Sequence, residues 1–372
     1  MPNLFLVDGA AGSGKSALLR FCSESRHDSD FVVKYTTKPM DVDGVARKDL
    51  IYSRPEDYDR NKDNYFVYNY PSFSTSQYFI SKKDIEDKLR VNKNVFLIIR
   101  SDKLIEKIRA YYSKFVNVNV VSIFVYSDNS ILRKRAEKQL QRVLEPGESL
   151  SDEAAQEKIE QRLRRNEECL RSYIQSLASE RRIYDHVILN DVSKDEYYTC
   201  INNIVDQYSS FDDKFDPPTA FIIMPMPQNR ESAHFFNVKS EIVKAAESVG
   251  IKAQRQDDRT PNSETIYSNI RNSIKNDSIF IVDLTNTRPN CYFELGLAYG
   301  KGDAYTTHNT LILSEKGTPV EFDLAGIERH EYSYNPKNND YSDLGNIVTR
   351  WLVNYIKEHV FVTERMKRFI NI

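Results

Sequence analysis

The 372-residue chain carries only four cysteines, Cys22, Cys169, Cys200 and Cys291, and no two of them share a C-x-x-C spacing. That pattern argues against a cysteine-built zinc centre or a disulfide framework and fits a reducing compartment. An excess of one charge is lacking as well. Lys and Arg number 52 against 54 Asp and Glu, a formal net charge of -2, so nucleic acid is not expected as a partner. No apolar run reaches the ~18 residues that a membrane-spanning helix needs. The start of the chain has neither a basic leader region nor a cleavage site and enters LFLV directly. No internal repeat or long low-complexity tract interrupts it. The expectation is a soluble, cytoplasmic protein with no membrane partner.

What is present divides at one seam. SSFDDKFDPPT, residues 209 to 219, is acidic and holds two consecutive prolines, which marks a linker. Before it, the short apolar runs LFLV, FVV, NVFLII, VVSIFVY and HVIL alternate with segments of helical periodicity. After it, AFIIMP, IKAQR, SIFIVDL and TLILS do the same, with helices expected over 237–249 and 264–276. Strands alternating with helices point to parallel sheets with crossover helices, hence an α/β class for both halves. The expected organisation is one domain over 1–208, a linker over 209–218 and a second domain over 219–372. Each domain is expected to be a mainly parallel sheet flanked by helices.

The first apolar run leads into GAAGSGKS, a G-x-x-x-x-G-K-S pattern containing Gly9, Gly12, Ser13, Gly14, Lys15 and Ser16, and the helix-forming ALLRFCSES follows. Glycines at this spacing let backbone N–H groups approach phosphate oxygens at the positive end of a helix. Lys15 is then placed to reach terminal phosphates and Ser16 to ligate Mg²⁺. A strand before the loop and a helix after it make this the most specific signal in the chain. It implies ATP and Mg²⁺ as cofactors.

Four later segments, in order, resemble parts of the guanylate kinase family. They are KYTTKPMDVDGVARKDLIYSRPEDY (34–58), FSTSQYFISKKDIEDKLRVNKNVFLIIR (73–100), VVSIFVYSDNSILRKRAEKQ (120–139), and IEQRLRRNEECLRSY with YDHVILND (within 159–191). The family counterparts are the acceptor region, the Tyr-containing stretch before the central strand, the lid entry and the closing helix-strand pair. The resemblance implies phosphate contacts by Thr36, Thr37, Lys38 and Tyr78, by Arg133 and Arg135 on the lid helix, and by Arg162 and Arg165 on the helix that returns from it. Where the family has a second acceptor arginine and a Glu, this chain is shortened to PMDVDG, leaving Asp41 as the nearest carboxylate. NVFLIIR ends in Arg100 where the family has Asp. Phosphate clamping is implied, guanine selectivity is not, and the acceptor stays open between a nucleotide and a phosphorylated sugar.

In the second half, NCYFELGLAYG (290–300) keeps one carboxylate, Glu294, in an otherwise uncharged run. The preceding NDSIFIVDLTNTRPN reads as a strand ending at Asp283, a polar loop and a helix start. Ligands of open α/β sheets sit beyond the carboxyl ends of strands, so a site belongs here. A capping box does not explain Glu294, because Cys291 stands three positions before it and Asn290 is the better cap. The positive end of the helix is expected to keep Glu294 ionised.

FIIMPM (221–226), IVDLTNTRPNCYFELGLAYG (281–300) and PVEFDLAGIERHEY (319–332) resemble the nucleoside 2-deoxyribosyltransferase superfamily, with its deoxynucleotide N-glycosidase members and TIR-like NAD-cleaving relatives. The resemblance implies that Glu294 is the catalytic group, acting on the anomeric carbon or the ribose hydroxyls, with Asp283 orienting the sugar or the loop. Asn290, Arg288 and, in MPMPQNRES, Arg230 are implied as phosphate, ribose or base contacts. An Asp that nucleotide-cleaving members place well before the Glu is Ile270 here, and His308 and His330 stand in no metal-ligand spacing.

Together the two resemblances imply a bifunctional enzyme of small-molecule nucleotides. An ATP- and Mg²⁺-dependent kinase-like domain is fused to one that cleaves an N-glycosidic bond or transfers deoxyribose, and a homo-oligomer is compatible with sites completed across subunits. Two alternatives stay open: an NAD-cleaving defence effector gated by nucleotide at the P-loop, and a catalytically inactive nucleotide-binding scaffold.

Overall fold

The computed structural model describes residues 1–37, 50–52, 62–69, 77–141, 153–178, 183–209, 219–225, 232–258, 265–277, 279–300, 309–319, 326–335, 340–363, 366–368 and 370. The contacts of the chain group into two units, Met1–Asp213 and Lys214–Ile372. Residues 210–218 of the expected linker lie outside the described residues, as do Lys38, Asp41, Arg230 and His308.

The first unit begins with β1 (Asn3–Gly9), α1 (Lys15–Ser25) and β2 (Ser29–Phe31), then the short β3 (Lys34–Thr36), β4 (Leu50–Tyr52), β5 (Tyr65–Asn69) and β6 (Gln77–Ser81). It continues through α2 (Lys82–Val91), β7 (Asn94–Ile98), α3 (Asp102–Tyr112), β8 (Asn119–Tyr126), α4 (Asn129–Gln141), α5 (Glu153–Ala178), β9 (His186–Leu189) and α6 (Lys194–Ser209). Alternation along β1 explains the layering. Phe5 and Val7 pack with Leu18, Leu19 and Ile201 on one face, with Phe5 stacked on Phe96 at 4.8 Å. Leu4 and Leu6, whose side chains alternate to the other face, are fully buried as well. A strand apolar on both faces belongs inside a sheet covered by helices on both sides, and the sheet is parallel throughout, in the order β2-β7-β1-β8-β9.

A second sheet, in the order β4-β3-β6-β5, is mixed: β3 pairs parallel with β4 and antiparallel with β6. Strand periodicity in the sequence does not announce it. Its strands are three to five residues long and mix Tyr, Thr, Gln and Ser with apolar residues.

The second unit comprises β10 (Thr219–Ile223), α7 (Ser232–Ser248), β11 (Lys252–Arg255), α8 (Ile266–Asn276), β12 (Ile279–Asp283), α9 (Pro289–Tyr299), β13 (Thr310–Glu315), β14 (His330–Tyr332) and α10 (Ser342–His359). Ala220, Ile222, Ile279 and Ile281 pack against α7 and α10, whereas Phe221, Ile223, Phe280 and Val282 pack against α8 and α9. The sheet is again parallel, in the order β11-β10-β12-β13-β14. The chain leaves β10 toward one edge and β12 toward the other, so the crevice for a ligand opens beyond the carboxyl ends of these two neighbours. No helix among the described residues is long and apolar enough to cross a membrane.

Ile281 lies at the middle of β12, between β10 and β13, with no exposed surface. An Ile281→Ala chain is expected to lose roughly 2–5 kcal/mol of stability through the cavity it leaves, read as a lower denaturation midpoint of the second unit.

Candidate functional site

The loop after β1 is shaped by three glycines with positive φ, Gly9 at 141°, Gly12 at 90° and Gly14 at 111°. A Cβ at Gly14 would stand 2.1 Å from Asn190 Nδ2, and one at Gly9 2.3 Å from the Val125 carbonyl oxygen. Only glycine lets the backbone pass there. Four loop carbonyls are then anchored by side chains from distant elements. Ala11 O accepts from Asn166 Nδ2 at 3.1 Å, Gly12 O from Arg135 at 3.0 Å, Ser13 O from Asn190 Nδ2 at 2.6 Å and Gly14 O from the Tyr197 hydroxyl at 3.2 Å. A planar trans peptide whose C=O is held on one side presents its N–H to the other. By this geometry Gly12, Gly14 and Lys15 direct their N–H groups away from those anchors at the start of α1, while Ser13 N donates within the loop to Ala10 O at 3.1 Å.

Lys15 is buried, and its ammonium donates to Gly9 O at 2.5 Å and Ala10 O at 2.6 Å. Burial, then the nearby Arg100 charge, pulls its pKa down to about 7. Asp8 lies beneath the loop, its carboxylate accepting from Gly9 N at 2.6 Å and from the Tyr184 hydroxyl at 2.8 Å. Burial pushes the Asp8 pKa up against the pull of Tyr184 and Lys15. Ser16, at the second position of α1, is exposed, whereas Ser13 Oγ is buried with no hydrogen-bond partner among the described residues.

The arginines expected from the resemblance divide. Arg135 holds Gly12 O, Ser127 Oγ and Asn190 O, so it braces the loop. Arg162 donates to Gln139 at 2.7 Å, and its guanidinium stands 3.7 Å from where a Cβ of Gly12 would be. Arg133 is paired with Glu160, and Arg165 is exposed and bonded to the Gln161 carbonyl in its own helix. In the mixed sheet, Thr36 Oγ1 donates to Gln77 O at 3.1 Å and Thr37 Oγ1 accepts from Gln77 N at 3.0 Å, which ties β3 to β6. Tyr78 stacks on Tyr68 with centroids 5.3 Å apart.

In the second unit, Asp283 ends β12 fully buried. Its carboxylate accepts from Thr285 N at 2.9 Å, Thr285 Oγ1 at 2.6 Å and the Tyr332 hydroxyl at 3.0 Å. With both oxygens engaged, Asp283 ties the loop to β14. Thr285 Oγ1 also accepts from Glu315 N at 2.8 Å. This bracing holds two non-glycine residues in the left-handed region, Asn286 at φ 65° and Thr287 at φ 46°. Asn tolerates that conformation, but a β-branched Thr is strained there, as backbone beside ligand sites often is. The helix cap is Arg288, with Pro289 at the first helical position, so Asn290 is not the cap but an exposed first-turn residue.

Glu294 lies in α9 between the buried Cys291 and Leu295. Burial raises its pKa from 4.5 to about 7, so the positive helix end does not keep it ionised as the sequence suggested. Six residues into α9, the side chain is past the first turn, where the helix-end field has faded. Ile270, in the place of the missing acid, packs against the cluster formed by Phe280, Leu295 and Ala298. Across the sheet, His234 near the start of α7 shares a hydrogen bond with the Tyr341 hydroxyl at 3.0 Å and stands 3.5 Å from the Glu315 carboxylate.

Several of these groups have no sequence signature. Asn166, Asn190, Tyr197, Tyr332 and His234 reach their places only through the tertiary fold.

No protein-family model and no curated protein matches the chain. Among solved structures it is similar to a guanylate kinase from Anaplasma phagocytophilum, 19% identical, over 57% of this chain and 87% of that one, with a TM-score of 0.37. At that score the likeness carries no weight, and the loop geometry stands without it.

The Glu294 environment has a stability signature. A carboxyl whose folded pKa is raised contributes fully below the unfolded value of 4.5 and loses that contribution as pH rises through about 7. Glu294→Gln, which mimics the neutral form, is expected to match the parent at pH 5 and to exceed it by roughly 1–2 kcal/mol at pH 8.5, after allowing for solvent screening. Denaturant titrations at the two pH values read this out.

Proposed function

We propose that the chain is a two-part nucleotide enzyme. Its first unit binds the phosphates of ATP at the loop of residues 9–16, and its second cleaves the N-glycosidic bond of a nucleotide at Glu294. The observation that carries the first part is the loop itself: four carbonyls held outward, three glycines with positive φ, and a buried lysine at the start of a helix. Thr36, Thr37 and Tyr78 in the mixed sheet are the proposed acceptor side, with Lys38 beside them in sequence. Arg162 is the lid arginine closest to the loop.

Phosphate binding requires the Lys15 ammonium. With its free pKa near 7, ATP binding draws in a proton at neutral pH, so affinity is full below pH 7 and falls as pH rises through it. Titration calorimetry is expected to show affinity weakening by up to about tenfold per pH unit above pH 7.5, with net proton uptake. Lys15→Ala should abolish binding, and a flat pH profile would contradict the role given to Lys15.

Mg²⁺ fits the residues only in part. Ser16, exposed at the second position of α1, is the proposed metal ligand beside bound phosphates, but the second ligand of such sites is an acid. Arg100 stands where the end of β7 would supply it, and Asp8 is already engaged with Gly9 N and Tyr184.

For the second unit, the proposal rests on Glu294 as the one carboxyl of α9, the helix that leads away from the carboxyl end of β12. Loss of the base builds positive charge on the sugar ring, and a carboxylate at the anomeric carbon stabilises it or captures it covalently. A pKa near 7 leaves Glu294 divided between carboxylate and acid at neutral pH, in the range suited to acid–base work. Asp283, Thr285 and Tyr332 position the loop, and Asn290, Arg288 and Arg230 are the proposed contacts to phosphate or base. Ile270 in place of a second acid favours, as a second reading, cleavage of NAD over cleavage of a deoxynucleotide.

Cleavage, followed by chromatographic separation of released base, is expected to rise with pH through about 7, as Glu294 ionises, and then level. Glu294→Gln is expected to lower the rate at least about a hundredfold while ATP still binds. Full cleavage by that variant would remove Glu294 from the site.

A further inference from the structure

The large apolar side chains that stand exposed among the described residues of the second unit are Phe236, Tyr267 and Phe293, and all three are aromatic. Two of them meet. Tyr267 on α8 and Phe293 on α9 are in ring contact, with centroids 6.1 Å apart and planes inclined by 37°, although Tyr267 is 50% and Phe293 55% exposed. Aromatic surface left in water is unfavourable, and rings of this kind are what small-molecule sites use to hold a flat ligand.

Their place in the helices is specific. In a parallel sheet the crossover helices start near the carboxyl ends of the strands they leave, and Tyr267 is the second residue of α8 and Phe293 the fifth of α9. Along α8, Tyr267 shares a face with Ile270 and Ile274, three and seven positions on, and those two pack in one cluster with Leu295 of α9. Along α9, Phe293 directly precedes Glu294, which flanks the buried stripe of Cys291, Leu295 and Ala298. The ring pair therefore closes the carboxyl-edge end of the α8–α9 contact, one residue from the carboxyl. Glu294 itself makes no hydrogen bond or ion pair with a described residue.

A ligand that suits both features joins a flat ring to a group that a carboxylate attracts. A base on its ribose does so, because every base has a face that stacks on an aromatic side chain, and the sugar hydroxyls or the anomeric carbon suit the carboxylate. Inclined at 37°, the two rings make a shelf rather than a slot.

We propose that Tyr267 and Phe293 form the shelf on which the base of the nucleotide stacks while Glu294 faces its sugar. The proposal rests on the N-glycosidic reading of Glu294 and names what holds the leaving group. Stacking contributes equally before and during bond breaking, so it acts on KM rather than on kcat.

Base release by the full chain tests it, followed by chromatography with whichever nucleoside monophosphate, deoxynucleoside monophosphate or NAD the parent cleaves fastest. Tyr267→Ala and Phe293→Ala are each expected to raise KM about tenfold, the loss of one stacking partner, with kcat within about threefold of the parent. Tyr267→Phe keeps the ring and should recover most of the parent affinity, whereas Phe293→Leu keeps bulk without the ring and should behave as Phe293→Ala does. Inhibition by the base-free sugar phosphate product should be the same in every variant. Parent KM in both alanine variants, or an equal loss of affinity for the base-free product, would overturn the shelf and leave Glu294 in place. A smaller oligomer of Phe293→Ala in sedimentation would assign the ring pair to a subunit contact and overturn it as well. Absence of base release by the parent from every substrate would instead remove the N-glycosidic reading, and the proposal with it.

Discussion

Parallel strand pairing is the constraint on which both candidate sites depend. The two five-stranded sheets are parallel at every pairing, and their central strands are apolar on both faces because helices cover both sides. Apart from braced groups such as Ser122 in β8 and the Asn3–Asn94 pair at the amino ends, charged side chains gather at the carboxyl edge, where strands hand over to helix starts. Asp8, Lys15 and Arg100 are found there in the first unit, and Asp283, Thr285 and Glu315 in the second. The same geometry aims backbone N–H groups of the following helix at whatever anion binds.

Both edges bury charge, and burial is unfavourable for each group taken alone. The Asp8 carboxyl is pushed toward its neutral form and the Lys15 ammonium toward its own, while Tyr184 and the loop backbone satisfy the carboxylate that remains. Partial burial raises the Glu294 pKa, and the neighbouring loop stores strain in the left-handed Thr287. Such features persist because the surrounding structure over-determines them, as Asp283 does by bonding Thr285 and Tyr332 at once. They link stability to function, since the groups that weaken the free protein are those a ligand would relieve.

The conformation of the loop over residues 9–16 was legible because its determinants are local: the glycine spacing anticipates the positive-φ positions, and Lys15 follows at once. Its supports were not, because Asn166, Asn190 and Tyr197 lie 155, 177 and 183 positions from the carbonyls they hold. Apolar runs identified β1, β7, β8, β9, β10, β12 and β13, whereas β2 begins two residues before the expected FVV, and the mixed sheet and the three-residue β14 were too short for a period to show. Glu294 stood out as one charge in an apolar helix. Its ionisation was misjudged because sequence gives distance from the helix start but not depth of burial, and burial dominates past the first turn. For Arg133, Arg135 and Arg165 the sequence supplied charge without direction, and the structure turns them to Glu160, to the loop carbonyl and to their own helix.

The most direct test of a two-part nucleotide enzyme is mass-spectrometric detection of free base after the purified chain is incubated with a mixture of nucleoside monophosphates, deoxynucleoside monophosphates and NAD, with and without ATP. Free base from a monophosphate is the expected result, and it would name the substrate. Nicotinamide released from NAD, with every monophosphate intact, would contradict that reading and move the chain to the NAD-cleaving class. No release from any component would contradict the assignment of Glu294 to N-glycosidic chemistry.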